Sequence, residues 1–335
     1  MRNLMGLAGA FVVAASVVSS ASAQELTKVS FGTNWLAQGE HGGYYQAVAD
    51  GTYKTYGLDV TIRQGGPQGA NRSLLLGGQI DFYMAGAASA IDAVKEGLPT
   101  VTLAAIFQKD PQVLMAHPDQ GYDKFADLAK ASKIIMGKEG FITYFEWMKA
   151  NFEGFKDEQY QPYTFNPAPF IADKKSAQQG YLTSEPFEVE RQAGFKPVVF
   201  LLADEGYDPY STTIEGMQAY VAANPDTAKR FVEASIVGWY NYLYGDNKAA
   251  NDLIKKDNPE MTDEQLAYSL AKMKEYGILV SGDAETQGIG CMTDARWADF
   301  YKKMSAVGRF PEGLDVTKAY TTEYVCKGLG KELVK

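Results

Sequence analysis

The stretch Thr33–Gly51, TNWLAQGEHGGYYQAVADG, gathers side chains that can recognise a ring. It holds one of the four Trp and one of the two His in 335 residues. An indole face such as that of Trp35 can stack on a flat ligand, and an amide such as that of Asn34 can donate to and accept from its edge. The structural alternative for Trp35 is a core aromatic, and for His41 a place at a helix start. Tyr44 and Tyr45 are adjacent, so a helix turns them in different directions and at most one meets a ligand; Tyr45 is the candidate retained. A second chemical position is Glu185. It precedes Pro186, a residue suited to a first helical turn, so its carboxyl would sit near a helix N-terminus that favours negative charge even without function.

Catalytic patterns are thin. The chain has no GxSxG elbow, phosphate loop or dinucleotide fingerprint. A triad would need His41 or His117, and no catalytic residue is assigned. Two Cys and two distant His are too few for a metal site, so no metal or cofactor is expected.

These residues need elements to hold them. Lys28–Gly32, Leu58–Arg63, Ile80–Met84 and Val101–Phe107 read as strands, with helices at Gly43–Ala49, Arg72–Leu76 and Ala90–Lys95 between them. That alternation predicts an α/β lobe with a mainly parallel sheet flanked by helices. The pattern restarts with strands at Gln112–Ala116, Lys133–Met136, Tyr163–Phe165, Gly180–Thr183 and Pro197–Ala203. Long amphipathic helices at Asp226–Tyr244, Asp263–Tyr276 and Asp294–Val307 follow and are expected to pack back on the first lobe. Residues 24–114 plus 216–335 then form lobe 1 and 115–215 lobe 2, with crossings near 110–118 and 212–222. Ligands of open parallel sheets bind beyond the C-terminal strand ends. The informative turns are therefore TNWLAQGEHGG, QGGPQGAN, AGAAS (Gly86), GKEGF (Gly140 and Phe141) and TSEPFE (Glu185). Glycines at helix starts leave backbone N–H groups open to an acceptor, although ordinary turns need glycine too.

The N-terminal segment bears the marks of an export signal: Arg2, an apolar run over Leu4–Val18, and Ala21-Ser22-Ala23. Cleavage after Ala23 is expected, with a periplasmic product. The formal net charge is −9, and −10 without the first 23 residues, which disfavours nucleic acid or anionic membrane as partner. Cys291 and Cys326 could pair in an oxidising compartment or remain as two buried thiols.

The segments TNWLAQGEHGGYYQAVADGTYKTYGLDVTI, GGQIDFYMAG, EGLPTVTLAAIFQ and DEQYQPYTF resemble solute-binding proteins of ABC importers. The similarity is to the thiamine-pyrimidine-precursor group, related to nitrate, sulfonate and taurine binders. The resemblance implies the two-lobe periplasmic binding protein fold of type II, with a two-crossing hinge and the ligand between the lobes. Carried over by position, it implies Asn34 and Trp35 at the cleft and His41 on the facing helix start. It also implies Gly140 and Phe141 on a glycine-rich ligand loop and Glu185 as the polar contact of the second lobe. KKSAQQ departs from the family's acidic approach to that strand. The family also contains pyrimidine-synthesising enzymes with a cysteine cluster in the second lobe; this chain has no Cys before 291.

The expected function is capture of a small planar heterocycle, pyrimidine-like or thiamine-precursor-like, by a monomer that delivers it to the permease subunits. The alternative is a binder of a small oxyanion, sulfonate or aromatic acid. Lys138 is the only basic residue in a candidate ligand turn, where solvation is the simpler role.

Overall fold

The computed structural model describes residues 25–66, 70–164 and 166–334; the expected export signal lies outside them. Ten strands divide between two five-stranded sheets. They are β1 (Thr27–Gly32), β2 (Leu58–Arg63), β3 (Phe82–Ala85), β4 (Thr100–Phe107), β5 (Gln112–Ala116), β6 (Lys133–Met136), β7 (Tyr160–Pro162), β8 (Ser176–Tyr181), β9 (Val198–Leu201) and β10 (Ser211–Met217). The first sheet runs β2-β1-β3-β10-β4 and the second β7-β6-β8-β5-β9. Each is therefore built alike: parallel strands, plus one strand second from an edge that runs antiparallel to both neighbours.

Those two antiparallel strands, β5 and β10, each begin directly after a passage between sheets. The chain crosses at 108–111, close to the expected 110–118, and again at 202–210, before the expected 212–222, which instead holds most of β10 and the start of the next helix. No strand forms at 163–164 of the stretch expected at Tyr163–Phe165; β7 ends just before it, and the strand expected at Gly180–Thr183 begins earlier, as β8. β10 had not been read as a strand. The architecture is α/β, with two lobes and helices on both sheets.

The core of lobe 1 is aromatic. Phe31 of β1 contacts Tyr44, Phe82 of β3 stacks on Phe231 at 4.5 Å, and Tyr44 meets Trp239 edge-on. Phe231 and Trp239 belong to the long helix Pro225–Tyr244, which does pack back on the first lobe. It lies close to the helix Gly42–Ala49 because glycines face each other: a Cβ on Gly238 would sit 2.7 Å from Ala47 Cβ and closer still to Gly43 O. Cys291 and Cys326 form a disulfide, which ties the segment before the helix Asp294–Ala306 to the C-terminal tail. No described helix is long and apolar enough to cross a membrane.

Candidate functional site between the lobes

The loop after β1 is pinned from several sides. Asn71 Nδ2 donates to Thr33 O at 2.9 Å, and Gly65 N to Trp35 O at 2.9 Å. Ala37 is held at both ends of its peptide: its N–H donates to Gln64 Oε1 at 3.0 Å, and Asn258 Nδ2 donates to its carbonyl at 2.8 Å. Gly65 is required because a Cβ there would fall 2.6 Å from Thr33 O and 2.8 Å from Trp35 N. With the backbone so fixed, Asn34 is exposed and Trp35 half-buried. A rigid loop presenting an amide and an indole loses little entropy on binding.

The facing wall belongs to lobe 2. Gln179 Oε1, on β8, accepts from Gly137 N at 2.6 Å and from Tyr144 OH at 2.9 Å. Gly140 leaves the room Tyr144 needs, since a Cβ there would collide with its hydroxyl. Glu185 begins the helix Glu185–Ala193, with Pro186 in the first turn. Its Oε2 accepts from Tyr181 N at 2.7 Å, and Gly180 allows that return: a Cβ on Gly180 would lie 2.8 Å from Glu185 Cβ. Glu185 is half-buried as a residue, with its carboxyl at the enclosed end. Burial pushes that carboxyl up to about 7; the Tyr181 bond opposes the shift, and the charges of Glu40 and Glu188 add to it.

Glu40 was not singled out from the sequence. It is 1 % exposed, on the short turn Gly39–His41. Thr183 Oγ1, from the opposite lobe, donates to its Oε1, while its Oε2 has no hydrogen-bond partner among the described residues. Burial raises its pKa, against the Thr183 bond. The same seam carries Ser269 Oγ donating to Thr183 O at 2.6 Å and Gln265 Nε2 to Ser184 Oγ at 3.3 Å. Lobe 1 and the start of the Glu185 helix are therefore in contact.

The other sequence candidates are placed as follows. Gly86 follows β3 and caps the start of the helix Ala87–Glu96, with its N–H donating to Ser89 Oγ. His41 is fully buried with neither ring nitrogen paired, and burial pushes its pKa down to about 3, so it is neutral. Tyr45 is buried and donates to Asp257 Oδ2 at 2.8 Å, which joins it to the groups that brace the β1 loop; Tyr44 lies in the aromatic core. Phe141 stacks on Tyr160 at 4.2 Å, within lobe 2. A basic group emerges that the turn-by-turn reading passed over. Arg72, half-buried, donates to Ser89 O in the first turn of the Ala87 helix at 2.9 Å and lies 3.6 Å from the buried Glu215. A separate recess of about 490 Å³ on lobe 2, lined by Lys124, Phe152, Phe200 and Glu205 among others, shares no residue with the interlobe groups. Among the described residues no group of three or more His, Cys, Asp or Glu could hold a metal ion.

Comparison with known proteins gives the family and the fold. The family model described as NMT1/THI5 like matches residues 38–250. Riboflavin-binding protein RibY of Chloroflexus aurantiacus is 24% identical over 309 residues, which cover 90% of this chain and 87% of that protein. Two solved structures share the fold. The ligand-binding component of an ABC-type import system from Staphylococcus aureus, with zinc bound, has a TM-score of 0.62 at 14% identity, covering 92% of this chain and 99% of that one. A periplasmic sulfonate-binding protein, SsuA from Methylobacillus flagellatus, has a TM-score of 0.60 at 13% identity, covering 90% and 93%.

Proposed function

The chain belongs to the NMT1/THI5-like family, and from that premise we propose that it is the substrate-binding component of an ABC importer. It captures a small planar heterocycle between its lobes and delivers it to the permease from the periplasm, without catalysis. The observation that carries this reading is Glu185. An enclosed carboxyl, anchored by one backbone N–H and crowded by other acids, favours a partner that donates N–H groups. Half-buried Trp35 and exposed Asn34 on the facing lobe supply a stacking face and a hydrogen-bonding edge. A pyrimidine ring, alone or within a larger fused heterocycle, has these properties. The riboflavin-binding relative is consistent with that class. Gly86 and Gly140 contribute backbone shape; the Gly86 N–H already donates to Ser89 Oγ at 3.4 Å.

A second reading, capture of a sulfonate or another small oxyanion, is favoured by Arg72 beside the N-terminus of the Ala87–Glu96 helix. Glu215 already meets the charge of Arg72, which weakens this reading. Glu185→Gln separates the two. A hydrogen bond to a charged group contributes about 1.5–3 kcal/mol, so calorimetry should show an aminopyrimidine binding roughly ten- to a hundredfold more weakly. A sulfonate would bind equally well or more tightly once the carboxylate is gone. A thermal-shift screen of aminopyrimidines, flavins, aromatic carboxylates and sulfonates chooses the probes; a ligand at a hundred times its Kd stabilises by about 2.7 kcal/mol.

A further inference from the structure

We propose that Glu40 is a specificity-determining residue: together with Glu185 of the facing lobe it selects a ligand whose nitrogen edge carries positive charge over a neutral one. This rests on the heterocycle reading above and narrows it to a protonated amino-heterocycle.

Glu40 holds a buried oxygen, Oε2, with no partner among the described residues, and is 1 % exposed. Its Oε1 reaches across to Thr183, two residues before Glu185, so the carboxyl lies at the contact between the lobes. Burying a carboxylate without a partner is costly, and a like charge nearby makes it worse. Glu40 is such a neighbour to Glu185, whose ionisation its charge hinders. Among the described residues no cation is hydrogen-bonded to either carboxyl, and Arg191 is taken up by Glu188. Glu40 is faced by Thr183 and Glu185 from lobe 2 and by the Tyr242 phenol from the long helix, and neutral His41 follows it in the chain. Glu185 is faced by Tyr163 and Glu188. Two carboxyls from opposite lobes therefore close on one another most favourably with a single positive charge between them. A protonated amidine-like edge, such as the N–C–N of a 2-amino- or 4-aminopyrimidine, supplies that charge and two N–H donors. A neutral ring must instead be accompanied by a proton taken from water.

The test uses the full mature protein and two probes of one ring size, 2,4-diaminopyrimidine and uracil, titrated calorimetrically near pH 6, where the first is a cation and the second neutral. The unaltered protein should bind the diamine at least tenfold more tightly. Glu40→Gln keeps the acceptor for Thr183 and removes the charge, and should reduce the diamine-to-uracil preference about ten- to a hundredfold, mainly by loss on the diamine. An unchanged preference in folded Glu40→Gln, or a wild-type preference for uracil, overturns the proposal. If neither probe binds the wild type, the heterocycle reading itself has failed, and the pair is then tested without ligand by melting temperature. Both carboxyls have raised folded-state values, so the native state keeps protons that the unfolded chain has released. Wild-type stability should therefore fall as pH rises from about 4.5 to about 7. Glu40→Gln should flatten that fall; an equally steep profile in the variant overturns the paired-carboxyl idea.

Discussion

At the residue scale the site divides into groups legible in the sequence and groups that were not. Asn34 and Trp35 stood out because rare side chains followed a strand end, where ligands of open sheets bind. Trp35→Ala should weaken ligand binding by about 1 kcal/mol or more beyond any loss of fold stability. Titration calorimetry on the folded variant checks this, and equal affinity would return Trp35 to a packing role. Glu185 drew attention through the Pro after it, and the structure does start a helix there. Glu40 escaped because its burial comes from contact between lobes far apart in the chain, which no local pattern records. One signal was present: a carboxyl among glycines and aromatics with no Lys or Arg within four residues on either side. Arg72 escaped for the converse reason. It lies early in a helix rather than in a turn, and only the packed structure brings it to Ser89 and Glu215.

At the scale of elements, apolar runs and glycine turns located most of the strands, because strands covered on both faces are continuous stretches of Val, Ile, Leu and Phe. β10 was the exception. Its sequence STTIEGM is polar, yet six of its seven residues are buried, and Thr212 sits at φ 48° where it joins the hinge. Mid-sheet burial of Thr and Glu cannot be told from a surface loop by composition. The close contact between the Gly42–Ala49 helix and the Pro225–Tyr244 helix was also hidden, since glycines within a helix usually count against it. Here they set the distance between axes. Gly238→Ala would push a methyl into Gly43 O and Ala47. The gain in helix propensity should be outweighed, with a net loss of about 1–3 kcal/mol from overpacking, read from urea midpoints. A stabilised variant would show that the helices can separate freely.

On the scale of the whole molecule, both crossings are gripped by one side chain. Arg296, on the helix Asp294–Ala306, donates to Gln108 O in the first crossing, lies 3.0 Å from Asp208 in the second, and covers the Tyr210 ring at 4.3 Å. Two lobes on such a hinge can open and close, with ligand favouring the closed form. Small-angle scattering should show a ligand-free protein more expanded than the saturated one, and Arg296→Ala should widen that difference by freeing the crossings from each other. Identical curves with and without a saturating ligand would mean a rigid cleft. The placement of β10 has a consequence in time as well as in space. β4 is an edge strand whose only ladder partner is β10. During synthesis from the N-terminus, TVTLAAIF is therefore made and left with neither side paired until residues 108–210 have followed it. An unpaired apolar strand is a template for pairing with other chains. Lobe 2, strands β5 to β9, is continuous and can be completed first, so the nascent protein passes through a stage with one finished lobe and one exposed edge. The segment most in need of shielding during synthesis is thus buried once the fold is complete, and lies remote in sequence from the β1 loop and Glu185.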